Sequence, residues 1–240
     1  MSNQTTDLAG ATDETRAGEF VWNIPVKEFP TRRNVMWDDV ARMDIAQSPL
    51  RILEIGVFRA GMLRHLVKRN DISIASYTGI DPYLGETSDP YFGSYWSTTG
   101  ESNAVYEQSK HIFDESGHQL VRTYSHKYWE ETQNQTWDLI LVDGDHRYAS
   151  ALWDMHHWFQ RLRPGGVMIA DDYANSDTPG VTRAVNRFIE LNAEGIAQTG
   201  YTVLPFQNKK KYIPISLTFV YWMRGENTNA VSWGWDDKCP

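Results

Sequence analysis

The sequence predicts an α/β fold, a doubly wound and mostly parallel sheet with an antiparallel hairpin at one edge. Three observations predict it. Short continuous apolar runs, such as Leu139-Ile140-Leu141-Val142 and Val167-Met168-Ile169-Ala170, have the length and composition of strands buried on both faces. Stretches with apolar residues at steps of three and four lie between such runs, which is the alternation of β-α-β units. The last two apolar runs, 201–206 and 215–222, have no helical stretch between them and so read as a hairpin.

In chain order, residues 1–18 are small, polar and aperiodic, as expected of a disordered tail, and residues 19–240 form one domain. A short preamble over 20–30 holds Trp22 and Phe29. Val35, Val40, Met43 and Ile45 supply the apolar face of a first helix. Leu50 to Gly56 is the first core strand, and Met62, Leu63, Leu66 and Val67 give helical spacing after the Gly61 turn. Tyr77 to Asp81 is a second strand ending on an acid. From Pro82 to Asn103 the chain carries Tyr83, Tyr91, Phe92, Tyr95 and Trp96 among turn-forming residues. A loop of that length inside a compact domain is a functional or mobile segment, read here as a lid over a ligand, with a surface or dimer contact as the alternative. A helix near 104–115 and a strand near 119–124 follow. Leu152, Met155, Phe159 and Leu162 then mark a helix that Pro164-Gly165-Gly166 stops and turns. A last helix begins at Val181, with Val185, Phe188 and Ile189 as its stripe.

Composition narrows the function. A net charge of −8 with 41% hydrophobic residues fits one sizeable core and disfavours a nucleic-acid binder, which needs a basic face. Lys209-Lys210-Lys211 is the only basic run, as expected of a solvated loop. The single cysteine, Cys239, excludes a disulfide framework. No apolar stretch approaches the roughly 20 residues that span a bilayer, and the N-terminus shows no signal region. A soluble, cytoplasmic protein without membrane contacts is expected, and 10 Trp with 12 Tyr leave material for a homo-oligomeric interface.

The chemistry concentrates between Asp138 and Tyr173. Asp143 closes one strand, and Asp171 and Asp172 close the next. Parallel neighbours would bring all three carboxylates to one sheet edge, where open α/β sheets bind ligands. Three such groups repel one another unless a cation or proton lies among them, so a metal site follows. Capping of the next helix by Asp143 and Asp145 is the plainer alternative, and it leaves the pair at 171 and 172 unexplained.

A second ligand signal is Glu54-Ile55-Gly56-Val57-Phe58-Arg59-Ala60-Gly61, set between a strand and a helix. Glycines there permit a tight turn and close backbone approach. Asp81 supplies an acid for ribose hydroxyls at the end of the next strand. A nicotinamide dinucleotide fits this poorly, because Phe58 stands where its pyrophosphate requires glycine. A ligand with ribose and no phosphate fits better, and S-adenosylmethionine is such a ligand.

The order LEIGVFRAG, GIDPY, DLILVDGDH, LRPGGVMIADDY and GVTRAV resembles the class I S-adenosylmethionine-dependent methyltransferases, in particular the branch with small-molecule and sugar O-methyltransferases. The resemblance covers about residues 50–190 and implies a seven-stranded sheet whose final strand is reversed. It implies that Glu54, Gly56 and Gly61 line the methionine and sugar part of the cofactor, that Asp81 holds the ribose, and that Ser125 lies near the adenine. Asp143 would border the cofactor and, with Asp171 and Asp172, hold a cation such as Mg²⁺ that activates neighbouring substrate oxygens. His146, whose residue type titrates near neutrality, would take the hydroxyl proton, with Asp145 as the rival base. The expected activity is O-methylation of a small hydroxylated molecule such as a sugar, polyketide or catechol-like compound. The alternatives are a hydroxylase or N-methyltransferase of the same fold, or a non-catalytic cofactor-binding protein.

Overall fold

The computed structural model describes residues 19–22, 32–84, 99–175, 177–207 and 214–225. The expected disordered tail, the aromatic residues at 91–96, the lysine run and the C-terminal segment with Cys239 lie outside them. Strands β1 (Glu19–Trp22), β2 (Leu50–Ile55), β3 (Ile74–Ile80), β4 (Gln119–Val121), β5 (Trp137–Val142), β6 (Leu162–Tyr173), β7 (Ile196–Gln207) and β8 (Pro214–Arg224) form one sheet. Helices α1 (Arg32–Arg42), α2 (Gly61–Leu66), α3 (Thr99–Glu115), α4 (Ser125–Glu131), α5 (Tyr148–Phe159) and α6 (Pro179–Asn192) connect and cover it.

The strand order is β1-β7-β8-β6-β5-β2-β3-β4. Strand β8 alone is reversed, antiparallel to both β6 and β7. Seven of the strands make the expected doubly wound sheet with its antiparallel hairpin. The eighth is the short β1, which pairs with β7 in parallel and falls in the preamble, where the sequence carries no strand signal. The chain order reverses between β2 and β5, and their C-terminal ends are where a ligand belongs.

Alternation along the strands builds two cores. Leu53, Ile55, Ile140, Val142, Met168 and Ala170 face one way and pack with Leu152, Trp158, Phe159, Val185 and Phe188 of α5 and α6. Leu50, Ile52, Leu139, Leu141, Val167 and Ile169 face the other way and pack with Met36, Trp37, Val40, Leu63 and Phe113 of α1, α2 and α3. Each face is therefore dry, which is why these strands read as unbroken apolar runs.

Two local departures matter. Helical spacing assigns Leu162 to the helix, yet α5 ends at Phe159 and Leu162 pairs with Trp137 in the sheet. The ladder resumes at Leu139 with Val167, so Arg163 to Gly166 loop out between the two pairs, with Gly165 at φ +74°. The turn exists, but it interrupts a strand instead of preceding one. At the other end of β6, Ala170 pairs with Val220 and Tyr173 with Thr218. Three steps on β6 match two on β8, so Asp171 and Asp172 occupy a β-bulge. Among the described residues, no helix is long and apolar enough to cross a membrane.

Candidate functional site

Backbone strain marks the C-terminal edge of the sheet. Phe58, Ala60, Tyr83, Asp172 and Ala174 are non-glycine residues with φ between 46° and 61°, a region that disfavours side chains by about 1–2 kcal/mol each. All five follow or end β2, β3 or β6. Phe58, where a dinucleotide loop would hold glycine, thus adopts the glycine-like conformation with a side chain attached. Gly56 cannot carry one. Its φ is +85°, and a Cβ there would overlap the carbonyl of Asp143, so the β2 and β5 loops touch through backbone alone.

Asp81 shapes the same loop. Its Oδ2 accepts from the backbone N–H groups of Val57 (3.0 Å) and Phe58 (2.9 Å), and Oδ1 accepts from Tyr83 N–H (2.8 Å). Burial nevertheless raises its pKa, outweighing these three bonds and the charge of Arg122. Oδ1 keeps a lone pair for a ligand hydroxyl. The carbonyl of Phe58 is pinned in turn by the hydroxyls of Tyr83 (2.9 Å) and Ser109 (2.8 Å). Beside this loop Glu54 is fully buried, and burial foremost pushes its carboxyl well above the usual range. The Tyr77 hydroxyl, donating at 2.8 Å, opposes that shift, and the charges of Asp143 and Asp81 add to it.

The bulge in β6 decides which aspartates meet. Consecutive strand residues point to opposite faces, so two adjacent carboxylates do not reach one point without a distortion. At φ +61°, Asp172 brings Oδ2 to 3.0 Å from Nε2 of His146, while Asp143 Oδ1 lies 3.9 Å from the same nitrogen. One donor atom from each of Asp143, His146 and Asp172 lies within 4.8 Å of the others. The Oδ1 of Asp171 instead accepts the backbone N–H of Asp172 at 2.6 Å. The group that comes together is Asp143, His146 and Asp172, with histidine in the position expected for Asp171. Asn175 Nδ2 donates to Asp172 Oδ1 at 3.3 Å, and the Thr178 hydroxyl to the Asp172 carbonyl at 3.2 Å. Gly180 lets the start of α6 lie on the backbone of 146–148, where a Cβ would collide.

Asp145 is engaged elsewhere. Burial would raise its pKa, but the Arg147 guanidinium, the Arg147 backbone N–H and Ser150 outweigh it and hold the carboxyl below its ordinary value. The N-cap of α5 is Arg147, with no side-chain cap bond of its own, and Asp145 accepts the Arg147 backbone N–H at 2.9 Å.

Ser125 opens α4, a helix that hydrophobic periodicity does not show, and donates to Asp154 Oδ1 at 2.5 Å. Asp154 belongs to no motif in the sequence. It lies three residues from Ala151 and four from Trp158, on the apolar face of α5, and a lone acid there is the signal that could find it. Burial pushes its carboxyl up to about 7, against the Ser125 bond and with help from Asp145. A cavity of about 200 Å³ lined by Met43, Val167, Tyr221 and Met223 sits at the other end of β6. Five residues separate Val167 from Asp172, roughly 15 Å of strand, so that cavity is not part of this site.

The fold has counterparts among known proteins. The structure of an O-methyltransferase from Bacillus cereus in complex with SAH superposes with a TM-score of 0.53 at 15% identity, covering 83% of this chain and 84% of that one. The N-methyltransferase NodS from Bradyrhizobium japonicum gives 0.52 at 14% identity, covering 82% and 98%. At these identities the likeness is one of fold. An uncharacterized protein of Acanthamoeba polyphaga mimivirus is 25% identical over 143 residues, a stretch that spans 58% of this chain and only 59% of the relative's length. A family model described as a methyltransferase domain matches residues 53–173, from the strand that carries Glu54 through the bulge that carries Asp172. That stretch is just over half of the 240 residues, and the chain belongs to the methyltransferase domain family.

Proposed function

We propose that the protein is an S-adenosylmethionine-dependent O-methyltransferase that acts on a hydroxyl of a small molecule with the help of a divalent cation. The observation that carries this reading is the convergence of Asp143, His146 and Asp172 beside the Gly56 loop and Asp81. Glu54, Gly56, Gly61 and Asp81 would line the methionine and ribose, with Ser125 toward the adenine. Ribose hydroxyls suit the free lone pair of Asp81, and the burial that favours the protonated form of Glu54 disfavours a further charge at a crowded acidic edge.

The donor set fits a divalent ion, because two carboxylates within reach of one point repel less around a cation and an imidazole nitrogen is a further ligand type for it. Asp143 and Asp172 would hold it, and it would supply charge that lowers the pKa of a bound substrate hydroxyl. The substrate oxygen forms a bond to the methyl carbon, the carbon–sulfur bond breaks, and the hydroxyl proton passes to the protein. His146 is the better acceptor, since Asp145 is held ionised by Arg147 and makes a weak base.

His146 Nε2 cannot ligate the ion and accept the proton at once, and one variant separates the roles. His146→Ala is expected to keep S-adenosylhomocysteine and Mn²⁺ binding in titration calorimetry while losing about 10²–10⁴ in turnover of a vicinal diol. Loss of Mn²⁺ binding would make His146 a ligand instead. Wild-type protein that binds neither S-adenosylmethionine nor S-adenosylhomocysteine, with or without Mg²⁺, would overturn the proposal.

A further inference from the structure

The polar ties between α1 and the α2 segment have a purpose that the catalytic edge does not explain. Trp37 Nε1 donates to the Met62 carbonyl (3.1 Å), His65 Nδ1 pairs with Asn34 Oδ1 (2.7 Å), and Arg69 Nη1 donates to Asp38 Oδ1 (2.6 Å). Residues 34, 37 and 38 share one face of α1, and Arg33 continues it. The ties set the Arg33 guanidinium directly over Gly61, where a Cβ would stand 2.5 Å from Cζ and 2.7 Å from Nη2. A glycine at the head of α2 thus makes room for a cation beside the loop. Arg33 is exposed, and no ion pair joins it to a carboxylate of the described residues.

Three arginines lie near this loop, and two have other engagements. Arg122 donates to the carbonyls of Pro82 and Tyr83 and to Asn103. Arg59 lies over the Phe58 ring, 5.1 Å from its centroid. Among the charges that act on Glu54, Asp143 and Asp81 are negative and Arg33 is the positive one. S-adenosylmethionine carries two positive groups, the sulfonium and the ammonium, and one negative group, the carboxylate. The edge formed by Asp81, Asp143 and Asp172 suits the sulfonium and repels the carboxylate.

We infer that Arg33 binds the carboxylate of the amino-acid end of the cofactor, placed there by the packing of α1 on α2. This rests on the cofactor reading proposed above. A guanidinium fork matches a carboxylate with two parallel bonds, and lysine does not reproduce that geometry.

The test compares two probes by calorimetry at low and high salt, S-adenosylhomocysteine and 5′-methylthioadenosine, which lacks the amino-acid end. Arg33→Gln is expected to weaken S-adenosylhomocysteine about tenfold or more, with Arg33→Lys in between and Arg59→Gln near wild type. Methylthioadenosine affinity is expected to stay within about twofold in every variant, because only the carboxylate contact is lost. Unchanged S-adenosylhomocysteine affinity in Arg33→Gln would overturn the inference, as would equal weakening of both probes or a selective loss in Arg59→Gln. Wild-type protein that binds neither probe would instead remove the cofactor reading itself.

Discussion

Single carboxyl groups in this protein take their character from what surrounds them, and Asp154 shows it best. It is 5% exposed, on an apolar helix face, and accepts a bond from the Ser125 hydroxyl. The folded state holds its proton up to about pH 7, against an ordinary value of 3.8. A folded pKa above the unfolded one means the native state binds the proton more tightly. The associated stability is full below about pH 4 and is lost as the pH rises through about 7. A rise of that size corresponds at most to about 4 kcal/mol. Asp154→Asn has no proton to lose, so its unfolding free energy is expected to fall less between pH 5 and pH 8 than that of the wild type. Urea melts at the two pH values measure the difference, and parallel losses in both proteins would disprove the account. Asp145, just ahead of the same helix, behaves in the opposite sense because Arg147 and Ser150 bond its charged form. Residue type alone announces neither outcome.

Elements, in turn, are joined at the site by bonds from polar side chains to backbone rather than by apolar packing. Strand β3 ends in an acid whose two oxygens gather three N–H groups from the β2 loop and from Tyr83. Asp81→Ala would leave those donors buried without their acceptor, at about 1 kcal/mol or more each. A loss of about 2–4 kcal/mol in stability is expected from those donors, together with weaker S-adenosylhomocysteine binding. Asp81→Asn presents one oxygen instead of two, so it should recover only part of the stability. If Asp81→Ala left the denaturant midpoint unchanged, the bracing role would be wrong. The loop is legible in the sequence as a turn between strand and helix. Its left-handed Phe58 and Ala60 are not, because nothing local favours that conformation, and braces from Asp81, Tyr83 and Ser109 help to hold it.

For the whole molecule, legibility follows the range of the interactions. Strands buried on both faces announce themselves within four residues, so the sheet apart from β1, the helices apart from α4 and the strand-end positions of Asp81, Asp143 and Asp171-Asp172 can be read directly. The bulge in which the left-handed Asp172 reaches His146 depends on pairing with β8, nearly fifty residues later in the chain. No local pattern carries that information, and so the sequence implies a cluster of three aspartates where two aspartates and a histidine meet. The placement of α1 is of the same kind. Asp39 is fully buried and accepts a 2.9 Å bond from the hydroxyl of Tyr221, 182 residues away on β8. This bond ties the first helix to the reversed strand across one core. Tyr221→Phe keeps the ring and removes the donor, leaving a buried carboxylate with one bond fewer. A loss of about 1–3 kcal/mol is expected, which for a chain of this size lowers the thermal midpoint by about 3–10 °C. If the link is structural only, S-adenosylhomocysteine affinity measured well below the melting transition should not change. A lowered affinity in a fully folded variant would show instead that the Asp39–Tyr221 bond also governs where α1 sets its cationic end.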